Sequence, residues 1–157
     1  MSEAVADTFN QGGALIAEAG TGTGKGLAYL FPAALHAARR GERVVISTNT
    51  INLQDQLFFK DIPTLQKVMS NGADKLPFTA ALLKGRSNYL CLKRYKDMRR
   101  DPRLMSDDVR ALIKVQLWLP TTESGDRAEL PLQEGENVAW NRMSAAWEQC
   151  TGPRCSE

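Results

Sequence analysis

Histidine is nearly missing from this 157-residue chain, which has one, and cysteine is scarce and odd in number, at Cys91, Cys150 and Cys155. A lone histidine, His36, with no metal-type partner nearby in sequence excludes a histidine-based metal centre and reads as a helix-surface residue. Three thiols cannot pair completely, so a disulfide-stapled secreted domain is not indicated. No apolar run approaches the length of a bilayer span, and no charged-then-apolar leader opens the sequence. The expectation is therefore a cytoplasmic protein with no membrane association. Aromatics are few, at 7%, but apolar residues reach 43% and charged residues 24%, a globular rather than a disordered composition. The length suits one domain, or one domain with a small insertion.

What is present is concentrated at Glu18-Ala19-Gly20-Thr21-Gly22-Thr23-Gly24-Lys25-Gly26. Glycines at every second position let successive backbone N–H groups turn inward as an anion nest. The helix that follows aims its positive end at the same point, and Lys25 can place a charge on the β- and γ-phosphates of a nucleotide. The P-loop pattern has two departures here. Ala19 stands where glycine is usual, and Gly26 stands where Ser or Thr offers a hydroxyl to Mg²⁺. The plain alternative is a glycine-rich turn with a solvated lysine.

Along the chain, Ser2 is a reasonable N-cap for a helix through Phe9. Ala14–Ala17 reads as a short buried strand that delivers the loop. Leu27, Leu30, Phe31, Ala34, Leu35 and Ala38 then follow helical spacing, with Pro32 expected to kink the helix and Gly41 to end it. Arg43–Ser47 reads as a second strand, which makes a parallel βαβ unit and puts Thr48-Asn49-Thr50 at a strand's carboxyl end, where open α/β sheets bind ligands. Asn52 is a candidate cap for a helix carrying Leu53, Gln54, Leu57 and Phe58. A further helix over about 62–69 is closed by Asn71-Gly72, and Pro77–Leu83 reads as a third strand.

Near Tyr89 the character of the sequence changes. Residues 84–103 carry eight basic and two acidic side chains, whereas residues 104–157 carry five and nine. The basic stretch suits a phosphate backbone, or equally a solvated helix face. One helix stands out, with Val109, Leu112, Ile113 and Leu117 on one face and a stop at Pro120. Thr121–Asn137 reads as loop, and a short helix over 138–148 presents Trp140, Met143 and Trp147. With so few aliphatics this segment is expected to lack a core of its own and to need a staple. Cys150-Thr-Gly-Pro-Arg-Cys155, with fifty-eight residues between Cys91 and Cys150, offers thiolates for zinc or an iron–sulfur group, one short of the usual four.

The blocks Glu18–Lys25, Val45-Ile-Ser-Thr-Asn-Thr50 with Gln54, and Lys84-Gly-Arg-Ser-Asn-Tyr-Leu-Cys91 resemble, in order, the iron–sulfur superfamily 2 DNA helicases, and the bacterial DinG helicases more closely than their XPD cousins. That resemblance implies an α/β fold: a RecA-like, parallel-sheet half-domain of the first motor over residues 1–88, then a small, mainly helical cluster domain over 89–157. It implies that Ala19, Gly20, Thr21, Gly22, Thr23, Gly24, Lys25 and Gly26 bind ATP phosphates with Mg²⁺, Lys25 being the catalytic residue. Thr48, Asn49 and Thr50 would contact DNA, and Cys91, Cys150 and Cys155 would ligate a [4Fe–4S] cluster whose fourth cysteine is expected just past Glu157. Single-stranded and forked DNA are the implied partners of a monomeric 5′→3′ helicase. The Asp-Glu-Ala-His box and second motor domain are absent, so the chain alone is expected to be inactive. A non-catalytic P-loop module that binds nucleotide or single-stranded DNA is the alternative.

Overall fold

A computed structural model describes residues 1–71, 75–146, 150 and 152–155. The chain forms two compact units, Met1–Leu82 and Leu83–Glu157. The sequence predicts its division slightly later, at 88/89.

The first unit is helical. Helix α1, Ser2–Gln11, packs on α2, Lys25–Arg40. Met1, not Ser2, occupies the N-cap position, and Gly12 closes α1 by donating its N–H to Thr8 O. Helix α2 runs without interruption through the buried Pro32 and ends where Gly41 takes the left-handed conformation (φ 67°) and donates to Ala37 O. His36 is not a surface residue. Its ring stacks on Phe9 at 4.7 Å, and its Nε2 lies 3.0 Å from Glu42 Oε2. Thr50, rather than Asn52, caps helix α3, Ile51–Gln56, accepting from Leu53 N–H. A π-helical turn, Leu57–Asp61, then leads into α4, Ile62–Asn71, with Ile62 N–H bonded five residues back to Leu57 O. Pro63 has no N–H to give the ladder, which relaxes the hydrogen-bond register at this point. Leu30, Leu57 and Leu65 form the core, with Tyr29, Ile62 and Phe78 against it. Gly72 lies outside the described residues.

The predicted parallel sheet is not there. Among the described residues no strand forms; the segments 14–17, 43–47 and 77–83 are non-helical backbone, and the two β-bridges lie elsewhere. Ile16 is 100% exposed and Val45 90%, although both were expected inside a sheet. The physical reason is that a strand is defined by its ladder partners. An apolar run of four to seven residues can equally stay extended with its backbone groups in water, and its own sequence cannot distinguish the two. The α/β, RecA-like class is therefore replaced by an all-helical architecture.

The second unit also departs from expectation, because it has a core. Helix α5, Leu92–Met98, lies within the basic stretch, where none was predicted. Helix α6, Ser106–Trp118, and α7, Glu134–Met143, pack on each other, and α7 also packs on α5. Tyr95, Met98, Ala111, Leu112, Val115, Trp118, Leu130, Ala139, Trp140 and Met143 form one buried cluster. Aromatic and methionine side chains supply the volume that a count of aliphatics overlooks. Trp118 and Trp140 meet edge to face at 6.3 Å, and Trp140 Nε1–H donates to Ser87 O at 3.0 Å. On α6 the inward face is Asp108, Ala111, Leu112, Val115 and Trp118; Ile113 and Leu117 are 54% and 73% exposed, so the predicted face was rotated. Asp108 accounts for this, because its carboxylate caps the Met105 N–H and bonds Arg142, drawing that side inward. Helix α7 begins four residues before the predicted start, inside the segment read as loop, with the Glu136 carboxylate accepting from Gln133 N–H. Trp147 lies outside the described residues.

Candidate functional site

The glycine-rich loop precedes α2 as the sequence predicts. Gly22 and Gly24 hold φ of 76° and 75°, in the left-handed region, and a Cβ at either would meet no atom within 4 Å. Glycine is needed there for backbone conformation and not for space. Thr23 Oγ1 donates to Gly20 O at 2.9 Å and tightens the turn. Lys25, the first residue of α2, is exposed and donates Nζ–H to Ala19 O at 3.1 Å, so its ammonium arches back over the loop. No side chain caps the start of α2. Its first N–H groups therefore have no intrahelical or side-chain acceptor.

Beside the loop is a cavity of about 380 Å³, lined in part by Ala17, Glu18, Ala19, Lys25 and Tyr29. Its volume lies in the range of small-ligand sites. Gly26 faces a neighbour that the sequence does not reveal: a Cβ at this position would lie 3.5 Å from Asp61 Oδ2 and 3.5 Å from Leu57 Cδ2. The Tyr29 hydroxyl is held above its ordinary pKa, first by burial and then by the negative charge of Asp61. Asp61 ends the π-helical turn, thirty-five residues from Gly26, and no local motif marks it.

Thr48, Asn49 and Thr50 follow the second extended segment. Thr48 Oγ1 donates to Thr50 O at 3.2 Å, and the Thr50 hydroxyl is engaged as the α3 cap. Asn49 is exposed.

In the second unit, Lys84-Gly-Arg-Ser-Asn-Tyr-Leu-Cys91 is built into the fold. Lys84 Nζ lies 2.8 Å from Asp126 Oδ2, with Lys84 buried and Asp126 partly buried, and Lys84 N–H donates to Tyr89 Oη at 2.8 Å. Cys91 is the N-cap of α5, and its N–H donates to Met143 O at 2.8 Å. Lys93 is held above its ordinary pKa, chiefly by the hydrogen bond to Asp97 at 2.9 Å and, more weakly, by the sulfurs of Cys155 and Cys91. Cys150 is exposed, and its sulfur accepts from Gly152 N–H at 3.4 Å. Among the described residues no three Cys, His, Asp or Glu side chains are grouped to hold a metal ion. The donor chemistry is that of a thiolate-bound group, but three thiols are one short of four, and the three are not gathered.

No helix among the described residues is long and apolar enough to cross a membrane. No family model matches the chain, and no solved structure matches it. Curated sequences do match, among them proteins named as ATP-dependent helicases or as 3'-5' exonucleases. The chain is 39% identical over 170 residues to "ATP-dependent helicase DinG" of Mycobacterium tuberculosis, an alignment covering 99% of this chain and 25% of that protein. It is 41% identical over 157 residues to "ATP-dependent DNA helicase YoaA" of Haemophilus influenzae, covering 99% and 23%. With "3'-5' exonuclease DinG" of Bacillus subtilis it shares 40% over 145 residues, covering 92% and 15%. The chain is similar over nearly its whole length to proteins named as DinG-type helicases, and it spans about a quarter or less of the length of these relatives.

Proposed function

We propose that this chain is part of an ATP-dependent DNA helicase of the DinG type that unwinds duplexes in the 5′→3′ direction. One observation carries the proposal: identity of about 40% across almost every residue with proteins named as such helicases. The loop geometry supports it. Ala19 to Gly26 would bind the phosphates of ATP, with Gly22 and Gly24 keeping the loop's backbone open toward them. Lys25 would leave the Ala19 carbonyl and turn its ammonium to the β- and γ-phosphates. When bound, Mg²⁺ would neutralise developing phosphate charge. Phosphoryl transfer also needs an oriented water, for which these 157 residues offer no Asp-Glu-Ala-His box, so the chain alone binds nucleotide without turning it over. Thr48, Asn49 and Thr50 would meet the backbone of a single strand, Asn49 being the most available of the three. Cys91, Cys150 and Cys155, which are not grouped among the described residues, would have to converge to contribute three thiolates to a [4Fe–4S] cluster.

Binding, turnover and metal content test this. ADP binding by the purified chain, followed by calorimetry, should be lost or fall at least about tenfold in Lys25→Ala, the loss of a charge-assisted phosphate contact. ATP turnover by the 157-residue chain that Lys25→Ala abolishes would contradict the claim of an inactive piece. Iron and sulfide should accompany a longer DinG-type chain purified without oxygen. Zinc in their place would refute the cluster. The alternative of a non-catalytic nucleotide or single-strand binding module predicts that a longer chain, too, has no ATPase activity stimulated by DNA.

A further inference from the structure

The P-loop pattern supplies a hydroxyl at the position of Gly26, and glycine has none. The fold places a different oxygen there. A Cβ on Gly26 would stand 3.5 Å from Asp61 Oδ2, so the carboxylate faces the position from which a Ser or Thr hydroxyl would project. Leu57, at the same distance, forms the apolar wall behind it and is buried in the core of the first unit. The π-helical turn that carries both residues sets this position: Ile62 N–H bonds to Leu57 O, and Asp61 is thereby rotated relative to an α-helical register. The charge of Asp61 is also felt by Tyr29, which lines the cavity with Lys25.

A bare carboxylate beside a phosphate cradle is unfavourable, because both groups are anionic. With a hard divalent cation between them the sign reverses, since Mg²⁺ takes carboxylate and phosphate oxygens together. We infer that Asp61 is the positioning residue for the divalent cation that accompanies the nucleotide phosphates, standing in for the hydroxyl that Gly26 lacks. This rests on the nucleotide-binding reading of the loop. It makes Asp61 a selector, favouring Mg²⁺-bound over metal-free nucleotide.

The selector has a signature that a scaffold residue lacks, namely opposite effects on two ligands. ADP affinity is measured by calorimetry in EDTA and in Mg²⁺ for the wild-type chain, Asp61→Asn, Gly26→Ser and the double variant, with circular dichroism to check folding. In Asp61→Asn, Mg²⁺·ADP should weaken about tenfold while ADP in EDTA holds or tightens, since a like charge has been removed from the phosphates. Gly26→Ser meets Asp61 and Leu57 only at ordinary contact distance and should fold. It should tighten Mg²⁺·ADP, and the double variant should recover most of what Asp61→Asn loses. Should Asp61→Asn fail to fold, Asp61→Glu takes its place and must retain the Mg²⁺ preference; its loss overturns the inference. Equal weakening of both ligands, or no change in either, overturns it and leaves the nucleotide reading standing. No ADP binding by the wild-type chain in either buffer overturns both.

Discussion

Asp126 Oδ2 lies 2.8 Å from Lys84 Nζ, with the two side chains only 13% and 3% exposed. The pair ties the start of the Lys84–Cys91 block to a segment forty residues on, next to the antiparallel bridge between Tyr89 and Asp126. Asp126 also caps the short 3₁₀ turn Arg127–Glu129, accepting from Ala128 N–H at 2.9 Å. Removing one member of a buried pair leaves the other charge uncompensated, which costs about 3 kcal/mol or more. Lys84→Met should therefore lower the stability of the second unit by about that amount, read as a shift in the urea midpoint of tryptophan fluorescence. Lys84→Met with Asp126→Leu should be less damaging than Lys84→Met alone. A Lys84→Met variant as stable as the parent would show that the pair contributes nothing.

Acid should unfold the second unit through its held carboxylates. The pKa of Glu136 is lowered, first by the hydrogen bond from Lys114 Nζ at 2.6 Å and then by Gln133 N–H. Glu129 is lowered chiefly by the Ser124 hydroxyl, and Asp101 chiefly by Arg103 N–H. A folded value below the unfolded one means stability that is present above the unfolded pKa and lost as pH falls through the folded value. Thermal midpoints should accordingly hold near neutral pH and drop below about pH 4. Glu136→Gln should begin lower at pH 7 and show a shallower acid limb, both visible by circular dichroism. An acid limb of unchanged slope would mean that Glu136 does not couple to folding.

The glycines of the loop divide by backbone. Gly24 sits at φ 75°, ψ 18°, and no atom is close enough to crowd an added Cβ. Gly24→Ala should therefore cost about 1 kcal/mol, from left-handed backbone alone. Gly20 has no positive φ, and its Cβ would meet only Thr23 Cγ2 at 3.9 Å, so Gly20→Ala should leave stability unchanged. Thermal unfolding of the two variants checks the contrast; equal effects would refute it.

Some of this molecule was legible in its residues. The presence of α2, its Gly41 stop and the loop ahead of Lys25 follow from spacing, caps and glycine within a few positions of each other, although Leu27 and Phe31 of its predicted inward face are 43% and 41% exposed. The three motif blocks sufficed to point to DinG-type helicases, and the similarity to named relatives bears that out. The parallel sheet failed for want of pairing partners. The core of the second unit was missed because Tyr95, Trp118, Trp140 and Met143, scattered over some fifty residues, became a core only when three helices met. The inward face of α6 was missed because a polar residue, Asp108, and not an apolar one, sets its rotation.

By itself, then, the sequence determined the local conformations and the kinship: φ preferences, helix caps and ordered motifs act over one or two turns and need no distant partner. Tertiary structure alone decided which apolar residues are buried, that Lys84 is paired inside the second unit, and that Asp61 stands against Gly26. Each of those depends on segments brought together across tens of residues, where the energy comes from desolvation and charge pairing that no local pattern encodes.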